Sequence, residues 1–157
     1  MHRSAARRLP LLSAAFGAAI ASSVVELPLW SLAGDDAMQN LYRDARLTAA
    51  IVMGRRVLDS AGGFDPLIMG VATLVHALLS VAYAALLTTM TRGRSFAPAL
   101  LAGAAFGVVL YGVNLYAFTS IFPWFVPVRG AVTLIAHLVF GITAAAVHHI
   151  AERRVRR

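Results

Sequence analysis

Four side chains able to do chemistry lie inside long apolar stretches of this 157-residue chain: Glu26, His76, Asn114 and His137. Counted from the flanking polar or turn residues at 1.5 Å per helical residue, each lies about 12–15 Å from the same boundary. That is near the middle of a hydrocarbon core about 30 Å thick. A carboxylate in hydrocarbon is costly unless neutral or partnered, so Glu26 should face protein or water. The helical period gives each of these groups polar or small company. Ser22 stands one turn from Glu26, and Tyr83 shares a stripe with Thr73, His76 and Ser80. Tyr111 follows Gly103 and Gly107 toward Asn114, and Thr133 precedes His137 and Gly141.

Several chemistries fit such a layer. Glu26 beside His76 or His137 makes a proton or cation site. The two histidines, on segments running the same way, suit the axial positions of a b-type haem. His76, His137 and Glu26 together suit a transition metal. The alternative is structural, with these groups hydrogen-bonding across helices for about 0.6 kcal/mol each. The structural alternative requires no cofactor, and it is the principal expectation here. His148, His149 and Glu152 near the end of the chain include one i, i+4 pair, but their order is not that of the zinc-protease helix. No nucleophile elbow, phosphate loop or paired catalytic carboxylates accompany them, so an enzyme is not expected. Cysteine is absent, which excludes disulfides and thiolate chemistry.

The elements that must position these residues follow from composition. The chain is 59% hydrophobic and 13% charged, with a mean hydropathy of +0.74. Soluble domains carry about twice that share of charge. Four apolar segments, 9–33, 66–90, 96–121 and 130–149, each suffice to cross a bilayer. The expected fold is an all-α four-transmembrane-helix bundle forming one domain over 1–157. Asp65-Pro66 marks a helix start, with an N-cap acceptor followed by proline at the first turn. Gly103-Ala-Ala-Phe-Gly107 is a GxxxG motif that permits close helix approach. The only long connection, 35–59, has apolar residues at near-helical spacing with arginines between them. It reads as an amphipathic helix on the surface or one capping the bundle mouth.

The net charge of +7 comes entirely from arginine. With the N-terminus inside, Arg3, Arg7, Arg8, Arg92, Arg94, Arg153, Arg154, Arg156 and Arg157 are cytoplasmic. Arg43, Arg46, Arg55, Arg56 and Arg129 are then outside, among five aspartates. This is the positive-inside pattern, so the basic charge marks orientation and contact with the bilayer, and nucleic acid is not an expected partner. Trp30, Tyr42, Phe122, Trp124 and Phe125 fall at the outer boundary, where aromatic belts form. Ala19-Ile20-Ala21 resembles a signal-peptidase site, but the apolar run continues to Leu32. An uncleaved first helix is therefore expected.

The stretches Arg43-Asp44-Ala45-Arg46-Leu47, Val75-His76-Ala77, Tyr111-Gly112-Val113-Asn114-Leu115-Tyr116, Phe122-Pro123-Trp124-Phe125 and Ala136-His137-Leu138-Val139-Phe140-Gly141 carry a resemblance. Together they resemble a family of small four-helix bacterial inner-membrane proteins, some of which bear the label sodium:proline symporter. The resemblance runs from about Trp30 to Val147. It implies a multi-pass inner-membrane protein and carries over no catalytic residue. Sodium-coupled symporters of that type are built from inverted repeats around broken helices, and no repeat is visible here. The reading is therefore a non-enzymatic accessory or assembly subunit of a larger membrane complex, or a homo-oligomer. Proton, cation or haem binding, or small-scale transport, is the alternative.

Overall fold

The computed structural model describes residues 2–60 and 62–155, with side chains from Leu9 to Arg154. Arg3, Arg7, Arg8, Arg156 and Arg157, which carry much of the orientation signal, lie outside the described side chains. Five helices account for most of the chain: α1 (His2–Leu32), α2 (Ala37–Met53), α3 (Pro66–Thr91), α4 (Phe96–Gly112) and α5 (Ala131–Val155). Four helical stretches are long and apolar enough to cross a membrane: Leu9–Leu32, Pro66–Thr91, Phe96–Ser120 and Ala131–Arg154. By length and composition this is a multi-pass, all-α membrane protein.

The caps follow the sequence. The Asp36 side chain accepts from the amides of Met38 and Gln39, and Asp65 accepts from those of Leu67 and Ile68, ahead of Pro66. Each carboxylate thereby satisfies amides that have no partner within the helix. Gly54 ends α2 with φ of +83°, a backbone conformation that favours glycine. α1 continues through Pro28 to Leu32.

Packing is most extensive between α1 and α5 and between α4 and α5, whereas α3 and α4, joined by a short loop, touch sparsely. Small residues explain the ranking. Gly103 and Gly141 face each other so closely that a Cβ on either would run into the other's carbonyl. Gly107 meets the His137 carbonyl in the same way. The GxxxG of α4 thus has its partner face on α5, where close backbone approach supplies van der Waals contact that lipid cannot match. Ala14, Ala15 and Ala18 of α1 are fully buried. Ala18 joins Leu87, Phe106, Leu110, Phe140, Ala144 and Ala145 in the main core. Leu9, Leu12, Phe16, Ile20 and Val24 recur on the exposed side of α1, the stripe expected to face lipid.

The segment 35–59 forms the helix expected between the first two spans, and of its two readings the packed one fits. α2 spans Ala37–Met53, a 3₁₀ turn follows at Arg55–Asp59, and Ala45 and Ala49 pack on Ile68 and Ala72 of α3. The Trp124 indole N–H donates to the Leu47 carbonyl at 3.0 Å. This helix is therefore fastened to the bundle. Trp30 is only 4% exposed and belongs to the interior, not to an aromatic belt.

Candidate functional site

The helix that carries Asn114 changes form where the polar layer begins. α4 is regular to Gly112, then widens into a π-helix over Val113–Ala117 and tightens into a 3₁₀ turn over Phe118–Ser120. The Phe118 amide bonds to the Val113 carbonyl, skipping the usual α-helical partner. Such a bulge costs regular hydrogen bonds and re-aims the side chains within it. Arg129 serves the disturbed end. Its Nε donates to the Leu115 carbonyl at 2.6 Å and a terminal nitrogen donates to Thr119 Oγ1 at 2.8 Å. The guanidinium also lies 4.3 Å from the centre of the Tyr116 ring. Arg129 is thus a cap that holds the irregular segment closed.

Asn114 is the hub of the layer. Its carbonyl oxygen accepts from the Tyr83 hydroxyl of α3 at 2.8 Å, and its amide nitrogen lies 3.3 Å from His137 Nε2 of α5. His137 Nδ1 lies 2.7 Å from the Thr133 carbonyl. That carbonyl can only accept, so Nδ1 carries the ring hydrogen and Nε2 of a neutral ring receives the Asn114 amide. Every contact in the series Tyr83, Asn114, His137, Thr133 is then a donor facing an acceptor. The Thr133 hydroxyl donates to the Val128 carbonyl at 2.7 Å. The Tyr111 ring meets the His137 ring edge to face at 5.7 Å, and its hydroxyl accepts from the Gly130 amide. Three spanning helices are joined by one carboxamide.

The other two members of the layer are elsewhere. His76 lies against the backbone of Ala19 in α1 and within electrostatic range of His137. Its Nε2 is buried with no hydrogen-bond partner among the described residues. Ser22, expected beside Glu26, donates to the Ala19 carbonyl of its own helix at 3.1 Å. Glu26 does not join the histidines. The charged groups that act on it are Asp44 and Arg43 of α2. Arg43 Nε donates to Asp44 at 2.7 Å. Burial raises the Asp44 carboxyl from its ordinary value, and the bond from Arg43 only partly offsets this.

The layer of four is thus a bonded pair, one neighbour and one outlier. Among the described residues no three histidine, aspartate or glutamate side chains gather as a metal ion would need. Glu26, His76 and His137 therefore do not form the three-ligand set their depths suggested. Equal depth fixes height in the membrane but not the side of the helix. The missed partnership had a signal, since Glu26 and Asp44 are equidistant from Asp35, and a chain turning back there brings them level. Nothing in the spacing marks the π-helix around Asn114.

Comparison of the chain with protein-family models, with curated proteins and with solved structures finds no match.

Proposed function

We propose that the protein is a non-enzymatic accessory or assembly subunit of a larger complex in the bacterial inner membrane, with both termini cytoplasmic. The observation that carries this reading is Asn114, whose carboxamide takes up both the Tyr83 hydroxyl and the His137 imidazole. A catalytic or transport site needs groups left available for a substrate, whereas the series Tyr83, Asn114, His137 spends its donors and acceptors on joining helices. Two cavities lie away from it, one against α2 and one beside the 91–95 loop. The arginines favour this orientation, with Arg92, Arg94, Arg153 and Arg154 at one end of the spans and Arg43, Arg46 and Arg55 sharing the other with aspartates.

Purification from the native host in mild detergent tests the proposal. The protein should migrate with a larger membrane assembly, and its isolation alone in several such detergents would overturn the accessory role.

A second reading, a proton or cation site, draws on Glu26 and Asp44. A carboxylate within electrostatic range of a second carboxylate and one arginine suits the sharing of a proton or the admission of a cation. Glu26→Gln then abolishes any pH-dependent transport while the fold persists. The haem alternative has less support, because His137 Nε2 is already engaged by Asn114. An absorbance spectrum lacking a Soret band removes that alternative.

A further inference from the structure

A polar cavity lies between the 91–95 loop and the last turns of α5, away from the Asn114 layer. It measures about 190 Å³ and is lined by Gly93, Arg94, His149, Glu152 and Arg153. His149 Nε2 is buried without a hydrogen-bond partner among the described residues, a donor or acceptor cut off from water and left unpaired. The Phe96 ring, 5.4 Å from the imidazole, holds its plane. Arg94, which also lines the cavity, is tethered by its Nε to the Met90 carbonyl at 3.0 Å. Gly93 turns with φ of +75° and nothing lies within 4 Å of where its Cβ would stand, so the loop side is open. Ser95, the N-cap of α4, makes no side-chain cap bond, so the amides at that helix start are not satisfied by it.

We infer that this cavity binds a phosphate group, taken from the headgroup of an anionic phospholipid or from a soluble phosphate. Two guanidiniums against one carboxylate make the site net basic, and a forked guanidinium matches two phosphate oxygens. His149 Nε2, in the tautomer that carries a hydrogen there, donates to a third oxygen. The adjacent helix start adds the positive end of the α4 dipole. The cavity against α2 differs in this respect. There Arg43 is bonded to Asp44, and Arg46 bonds Ser60, the Tyr42 carbonyl and the Gly63 carbonyl. The inference does not depend on the proposed function, since neither a complex nor a membrane orientation enters it.

Native mass spectrometry of the full-length protein, titrated with phosphatidylglycerol and with phosphatidylcholine, tests it. Phosphatidylglycerol should bind at least ~10-fold more tightly, and Arg94→Gln with Arg153→Gln should remove that preference, each tenfold step being about 1.4 kcal/mol. The charge-matched control, Arg92→Gln with Arg154→Gln, should change it by less than ~2-fold if the contact is local. Glu152→Gln should tighten binding, a gain that a misfolded protein cannot produce. Inorganic phosphate that raises the melting temperature of delipidated protein identifies a soluble ligand, and protection by phosphatidylglycerol alone identifies a headgroup. Protection by neither, or equal loss in the two double variants, overturns the site.

Discussion

The α4–α5 seam and the α3–α4 junction are built on opposite terms. α4 and α5 are joined through the irregular stretch 113–130, yet they approach until glycine backbones touch at Gly103, Gly107 and Gly141. α3 and α4 are joined by a short loop, yet they pack sparsely and are linked by the Tyr83–Asn114 bond. In lipid, apolar side chains gain little by leaving one hydrocarbon surface for another, so chain proximity does not bring helices together. Small residues and paired polar groups do, and the two junctions rely on one each.

The largest effect should come from the seam. Gly107→Val places a branched side chain against the His137 backbone, which neither helix can move aside cheaply. A loss of about 3 kcal/mol is expected, at the upper end for overpacked sites. Thermal unfolding in detergent measures it. If the variant melts with the wild type, the seam is not the close contact described here.

Asn114→Leu should cost about 1–2 kcal/mol, because it leaves both a hydroxyl and an imidazole without their partner. It should also loosen α3 more than α5, since the seam remains. Hydrogen exchange along α3 separates this from a general weakening, and equal loosening of both helices would contradict the contrast between the junctions. Tyr83→Phe removes one bond and should cost about 0.6 kcal/mol.

How much of this was legible in the chain depended on the kind of information each feature needed. The four spans and the Asp36 and Asp65 caps rest on local composition and spacing, and the helices formed there. The GxxxG at Gly103 announced close packing but not with which helix, because the partner glycine at 141 lies in a different stripe. Height in the membrane was readable by counting, so Asn114 and His137 do meet. Rotation about each helix axis was not, since it is set by packing across the bundle. Glu26 therefore comes within electrostatic range of Asp44 and Arg43, and the π-helix at Val113–Ala117 changes the helix around Asn114 in a way no periodic pattern encodes.

The smallest expected effect is one of sign, and it concerns a contact that neither junction shares. Burial raises the Asp44 carboxyl above its ordinary value of 3.8, so the folded protein holds a proton that the unfolded chain has released. Stability should then fall as pH rises from near that value and level off above the raised one, since the folded state binds more protons across that interval. Asp44→Asn cannot titrate, so its melting temperature should gain on the wild type as pH increases through the same window. Comparing the two proteins at each pH cancels the titration of other groups, apart from those coupled to Asp44, of which Glu26 and Arg43 are the nearest. Repeating the pair of measurements in a Glu26→Gln background shows how much of the slope belongs to that coupling. A wild-type advantage that grows with pH would mean that the bond from Arg43 outweighs burial. Both partners lie on α2, so in either outcome its hold on the bundle rests on Ala45 and Ala49 against Ile68 and Ala72.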